Sequence, residues 1–526
     1  MAYLFRLLAM TLALAVWEMG PAAWAEPVDA DIVLSGGEIL DGSGGPAVRG
    51  DVAIRGDRIV AVGDFEPGDV GQTIDCTGLV LAPGFIDLHN HSDSNDSILA
   101  PGNRTAENFI RQGCTTMVTG NCGGGKLPVA QYHSELEEGG IGANVAHLIP
   151  HGEVRVAVVG RRQADPSAEQ LDEMRALVAQ GMSEGAWGMS TDLIYVHSSY
   201  GKLDELVALA AVVAEHGGIY ASHIRSEESG LLDAVDEALE IGRRSRCPVH
   251  ISHLKVTGKP YWGNVRTAVR MMEEARAAGK TVTADQYPYI ASSTSLSAML
   301  LPDWAREGTR ADTSRRLADP EELARVRPAI EQALEERPHI RLVAYSPNPS
   351  YNGRALHEIA AEEGRDIVDV AVEVIREASP SAINFGMDEA DVRFVMQVPW
   401  VATASDGSVK AASGEMVHPR SFGTFPRKLG LYSVREQVVP LPAAVRSCSG
   451  LPADILGMTD RGYLREGQAA DVVAFDPAEL IDGATFEQPF EPPVGIRWVL
   501  VNGVAAIADG EPTGSLSGRV LRHAAN

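Results

Sequence analysis

The run Gly84-Phe-Ile-Asp-Leu-His-Asn-His91 ends an apolar stretch with two imidazoles at a spacing of two, and Asp87 lies two residues ahead of the first. Alternate residues of a strand point to one face, so Asp87, His89 and His91 are expected to share it. Two histidines placed this way make one side of a metal site, although a pair of surface histidines fits the same spacing. Other β-like runs end on further donors. By the same alternation Ile219, Ala221 and His223 share a face, as do Val249, Ile251, His253 and Lys255. So do Ala402, Ala404 and Asp406, and Thr116, Val118, Gly120 and Cys122. His250 has the opposite parity from His253 and reads as structural. Each donor alone has a plain explanation: a hydrogen-bonded core histidine, a small buried hydrophobe, or an aspartate opening a turn. Metal-binding types at five strand tips call for a common one.

Eight β-rich runs, ending near His91, Cys122, His151, Leu193, His223, His253, Tyr287 and Asp406, alternate with helical sequence. That alternation predicts an α/β fold, a TIM-like (β/α)8 barrel whose chemistry sits at the C-terminal ends of its strands. The gap between the last two runs holds helical stretches from Glu321 to Glu336 and from Ala355 to Ala378. An insertion between strands seven and eight, about 303–395, is therefore expected inside a barrel spanning 83–455. Short strands with turn residues recur at 26–82 and 456–526, and read as one small β-sandwich domain built from both chain ends.

The chain has 526 residues, of which 45% are hydrophobic, enough for such a barrel and a smaller domain. Its 45 basic and 71 acidic residues give a net charge of -26, which argues against nucleic acid or anionic membrane as a partner. Residues 1–25 read as a signal peptide: Arg6, an apolar run from Leu7 to Val16, then the small-x-small Ala23-Trp-Ala25. No later stretch is suited to spanning a membrane, so a periplasmic or secreted bacterial protein is expected, in no particular oligomeric state. Cys76, Cys114, Cys122, Cys247 and Cys448 are too irregularly spaced for a disulfide framework, and their odd number leaves at least one free thiol.

Pro83-Gly-Phe-Ile-Asp-Leu-His-Asn-His91 together with the two-part β domain resembles the amidohydrolase superfamily. Gly120-Asn-Cys-Gly123, Gly218-Ile-Tyr-Ala-Ser-His-Ile-Arg-Ser-Glu227, His250-Ile-Ser-His-Leu-Lys-Val256 and Ser405-Asp-Gly407 resemble the N-acyl-D-amino-acid deacylases (D-aminoacylases) more closely. So do Tyr287-Pro-Tyr-Ile-Ala-Ser-Ser-Thr294 and His418-Pro-Arg-Ser-Phe-Gly-Thr-Phe-Pro426. The resemblance implies a tightly held zinc on Cys122, His223 and His253, and a second, weaker site on His89, His91 and Asp406. Strand four, Gly185-Ala-Trp-Gly-Met-Ser-Thr-Asp-Leu193, lacks the lysine with which many superfamily relatives bridge two metals, which fits a cysteine in its place.

The implied chemistry is amide hydrolysis. Zinc lowers the pKa of water from about 15.7 to roughly 7, and Asp406 would take the proton and pass it to the leaving amine. By position the substrate carboxylate would meet Lys255, Arg420 and Tyr195, with Tyr287 and Ser292. Arg420 carries most weight, because a guanidinium grips a carboxylate in two-point fashion.

The chain departs from the family at Tyr195-Val-His-Ser-Ser-Tyr200, which lacks a Pro-Pro-Gly-Ala-Tyr form. It also departs at Ser295-Leu-Ser-Ala-Met-Leu-Leu301, which lacks a basic residue. The second departure points to neutral or apolar substrate side chains rather than acidic ones. A dipeptidase for peptides with a C-terminal D-residue is the nearest competing reading. A cyclic amidase and a non-catalytic binding protein follow.

Overall fold

A computed structural model describes residues 26–94, 97–412 and 416–524, so the expected signal peptide lies outside the described residues. Eight parallel strands form the barrel: Phe85–Asp87, Cys114–Thr119, Asn144–His147 continued by Ile149–Pro150, Gly188–Asp192, Ile219–His223, Val249–Ile251, Val282–Gln286 and Val401–Thr403. The third breaks at Leu148, and its first half pairs with strand two while its second half pairs with strand four. All eight are buried along their length, as strands covered on both faces must be. Most sequence runs overshoot the strand ends, since donors such as Cys122, His253 and Asp406 lie two or three residues beyond the last ladder bond.

Closure of the ring is what brings the two chain-distant halves of the site together. Asn90 and Gly407 form a parallel bridge between strands one and eight. His91 N donates to Gly407 O and Asp406 N donates to His89 O, each at 2.7 Å. Inside the barrel Ile86, Leu88, Val118, Ala146, Ala221, Ala402 and Ala404 pack into one cluster. Outside it, Val249, Ile251, Val282 and Ala284 pack with Val265, Val269 and Met272 of the helix Asn264–Ala277. This corrects the parity assigned to strand six: Val249 and Ile251 face the helix layer while His253 faces the barrel mouth. The strand ends at Ile251, and His253 takes a left-handed backbone (φ 36°), so alternation no longer applies there.

Between strands seven and eight the chain makes a separate layer. Ser292–Ser295, Ser381–Asn384 and Ile340–Leu342 form an antiparallel sheet, backed by helices Arg310–Ala318, Pro320–Glu336, Leu356–Glu363 and Ile367–Glu377. These bury a core of their own that includes Val326, Ile330, Ile359 and Val374. Asp319 and Asp366 cap two of the helices, each accepting from two backbone N–H groups. The layer begins with the Ser292–Ser295 strand, whose uncharged side chains line the barrel mouth, and ends before the expected 395. The reason is that the helix Glu389–Val395 packs on the barrel, where Asp391 accepts from Gly263 N and Val392 O from Gln286 Nε2.

The chain ends meet in a nine-stranded sheet, where Val80–Pro83 pairs antiparallel with Val472–Phe475 and parallel with the end of Val28–Ile39. Leu34, Val52, Ile54, Leu81, Val472 and Leu500 share its core. Gly37 lies at a bulge in the first strand, and a Cβ there would sit 2.6 Å from Leu81. The sheet is tied to the barrel by buried Asp471, which accepts from Arg461 Nη1 (2.5 Å), Asn144 Nδ2 (3.0 Å) and Asn502 N (2.7 Å). Among the described residues, Asp471→Ala leaves Arg461 with only the outer Asp460 as a partner. It is expected to cost roughly 3–5 kcal/mol in urea unfolding, and a loss below about 1 kcal/mol would show that the tie is dispensable.

Candidate metal centre and active site

Six donors from five strand tips converge at the C-terminal mouth. Cys122 Sγ lies 3.2 Å from His89 Nε2, 3.6 Å from His223 Nδ1 and 3.7 Å from His253 Nε2. The two later histidines approach each other to 3.1 Å through the same atoms. Asp406 Oδ1 is 3.0 Å from His91 Nε2 and 3.6 Å from His89 Nε2. Cys122 thus stands between two sets, His223 with His253 on one side and His89 with His91 and Asp406 on the other. Cys122, His253 and Asp406 all have positive φ (52°, 36° and 50°). Such backbones cost of order 1–3 kcal/mol each and concentrate at functional sites.

The donor chemistry fits zinc. Thiolate, imidazole and carboxylate are its ligands, and bonds of about 2.0–2.3 Å in a tetrahedron put neighbouring ligand atoms about 3.3–3.8 Å apart. The spacings around Cys122 fall close to that range. Burial raises the Cys122 thiol well above the usual thiol range, and the carboxylates of Asp192 and Asp406 push the same way. A thiolate at this place therefore calls for a cation beside it.

Three carboxylates that sequence reasoning did not single out surround the histidines. Glu227 Oε1 is 3.0 Å from His253 Nδ1 and 3.7 Å from His223 Nε2, the ring atoms that face away from Cys122. Asp285 takes His250 Nε2 at 2.8 Å and the His253 N–H at 2.7 Å, and lies 3.5 Å from His89 Nδ1. Asp192 Oδ2 is 3.1 Å from His223 Nδ1. Outer carboxylates such as Glu227 and Asp285 set which ring nitrogen faces a metal, whereas Asp192 lies on the Cys122 side of His223. Glu227 closes the stretch Gly218–Glu227, and Asp192 and Asp285 end or nearly end their strands. That strand-tip position was the available signal. His250 is structural as expected, bonded to Thr283 and Asp285. His151 opens the helix His151–Val158 and bonds Ser198 and Glu205, away from the donors.

A cavity of about 490 Å³ opens beside the donors, lined by His91, Cys122, His223, His253 and Asp406 and by all five expected substrate contacts, Lys255, Arg420, Tyr195, Tyr287 and Ser292. Arg420 Nη1 donates to Asp406 Oδ2 at 2.7 Å, and its guanidinium lies 4.9 Å from the Tyr287 ring centroid. Lys255 Nζ is held between Glu227 and His253 Nδ1, the latter at 2.8 Å. Tyr195 Oη bonds Thr294 Oγ1 on the insertion strand. Arg225 and Arg337 also reach the cavity, each already paired, to Glu237 and Glu228 respectively. Ser293, Ser295, Ala298, Met299 and Val343 make an uncharged wall. The five cysteines are free.

A (β/α)8 barrel with thiolate, imidazole and carboxylate donors at its C-terminal mouth defines a metal-dependent hydrolase. The model of the amidohydrolase family matches residues 72–292 and 401–507, leaving out the inserted layer. D-aminoacylase of Alcaligenes xylosoxydans xylosoxydans is 36% identical over 519 residues, covering 94% of this chain and 98% of that protein. The structure of N-acyl-D-glutamate deacylase from Bordetella bronchiseptica, complexed with zinc and a phosphonate mimic of the tetrahedral intermediate, superposes with a TM-score of 0.81 at 33% identity. It covers 94% of this chain and all of that one. A D-aminoacylase with a binuclear metal center gives 0.80 at 34% identity and the same coverage. The chain belongs to the amidohydrolase family, among its N-acyl-D-amino-acid deacylases.

Proposed function

We propose that this protein is a zinc-dependent amidase that hydrolyses N-acyl-D-amino acids to a carboxylate and a free D-amino acid, with neutral or apolar side chains preferred. The observation that carries it is Arg420, a buried guanidinium beside Asp406 at the rim of the donor cluster. It is where the α-carboxylate of an amino-acid leaving group would bind next to the reacting amide.

Cys122, His223 and His253 would hold the tight zinc, and His89, His91 and Asp406 a second, weaker one. Bound zinc supplies a Lewis acid and an acidified water. Asp406 accepts the proton of the attacking water and delivers it to the leaving nitrogen. Arg420 grips the substrate carboxylate, with Lys255, Tyr195, Tyr287 and Ser292 around it. The Met299 and Val343 wall favours uncharged side chains, because Arg225 and Arg337, which also reach the cavity, already have carboxylate partners. The D hand comes from the relatives. The 1–25 leader supports export to the periplasm or medium, which cell fractionation would test.

The expected result of a hydrolysis panel is turnover of N-acetyl-D-leucine at least ~100-fold above its L-isomer, and above N-acetyl-D-glutamate by about tenfold. Chelation should abolish activity and zinc restore it. Turnover confined to L-substrates would overturn the assignment. Faster turnover of L-alanyl-D-leucine than of N-acetyl-D-leucine would favour the dipeptidase reading.

A further inference from the structure

We infer that Asp192 is a fourth protein donor to the tight zinc, added to Cys122, His223 and His253 from the side away from the substrate cavity. The inference rests on the zinc reading above and extends its ligand set. Asp192 ends strand four and is 1% exposed. Its two oxygens have different surroundings. Oδ1 accepts from the N–H groups of Ile194 and Tyr195, both at 2.8 Å, and so staples the loop that follows the strand. Oδ2 is buried and, among the described residues, has no well-aligned hydrogen-bond donor. It lies 3.1 Å from His223 Nδ1, and ligand atoms of Asp192, His223 and Cys122 all fall within 4.8 Å of one another.

A buried carboxylate oxygen without a partner is costly and needs a compensating group. His223 Nδ1 is the atom that also faces Cys122 Sγ at 3.6 Å and His253 Nε2 at 3.1 Å. If that nitrogen binds a metal, it carries no proton to offer Asp192. Electron pairs on Oδ2, Nε2 and Sγ then face that of Nδ1 at 3.1, 3.1 and 3.6 Å, and Sγ faces Nε2 at 3.7 Å. A shared cation removes that repulsion and gives Oδ2 the partner it lacks. Asp192 is absent from the cavity lining, whereas Cys122, His223 and His253 are all part of it. With a fourth donor from behind, water or substrate would join from the cavity side as a fifth ligand, an expansion that zinc permits during catalysis.

The plain alternative is that Asp192 only staples its loop. Asp192→Asn separates the two, since an asparagine oxygen preserves the staple and removes the anionic donor. The test measures zinc affinity by chelator competition, beside the melting temperature of the zinc-free protein, for wild type, Asp192→Asn and Asp192→Ala. The expected result is zinc affinity weakened by about 10–100-fold in the asparagine variant, with zinc-free melting unchanged. Cobalt-substituted wild type should also differ from the variant in the intensity of its visible bands, which report coordination number. Zinc affinity within twofold of wild type, with an unaltered cobalt spectrum, would overturn the Asp192 assignment alone. A wild type that takes up no zinc would overturn it together with the zinc reading.

Discussion

Asp406→Asn is expected to keep its tight zinc and lose hydrolysis by about 10²–10⁴-fold in kcat/KM, the range by which a positioned proton acceptor speeds a reaction. Burial alone would raise the Asp406 carboxyl, but the charge of Arg420 and the bond from His91 outweigh it and hold the group well below the usual carboxylate range. At neutral pH it is therefore ionised, available to accept a proton from a water on the cavity side. An asparagine keeps the shape and the bond to Arg420 but has no comparable basicity. The tight zinc is expected to remain because Cys122, His223 and His253 do not depend on this side chain. Kinetics beside metal analysis would read both halves, and wild-type turnover by the variant would refute the role given to Asp406.

Cys122→Ala is expected to lose both. Its sulfur is the atom common to the two donor sets, 3.2 Å from His89 and 3.6–3.7 Å from the later histidines. Without the thiolate the remaining histidines face a pocket with one anionic charge fewer, and zinc should be absent after dialysis. Activity should then fall by at least ~10³-fold, because water at a pKa of about 15.7 is no longer acidified. Uptake of zinc by the wild type should release the thiol proton, so its zinc affinity should rise with pH. An alanine variant that retains stoichiometric zinc would place the tight site elsewhere.

Much of the centre was legible in the chain before any fold. The HxH pair, Cys122 before a glycine run, and His223, His253 and Asp406 at apolar run ends are local patterns. Each is ambiguous alone, but together at five strand ends their residue types point to a metal site, since few side chains bind zinc. The outer carboxylates were not legible in that way. Asp285 meets His253 because strands six and seven pair with Ile251 opposite Ala284, which carries Asp285 alongside the turn after Ile251. Register between strands about thirty residues apart does not follow from either strand alone. Parity failed for the same kind of reason at His253, where a left-handed backbone replaces the strand.

The sequence by itself determined the kinds of donor, their order along eight β/α units, and the pairing of the two chain ends, because apolar periodicity and side-chain chemistry are properties of local segments. Only the tertiary structure decided that Cys122 lies between the two donor sets, that Glu227 and Asp285 stand behind the histidines, and that Arg420 faces Asp406. Those contacts depend on closure of the barrel between Asn90 and Gly407 and on backbone turns at the strand tips. Both are set by the packing of the whole ring rather than by any one stretch of residues.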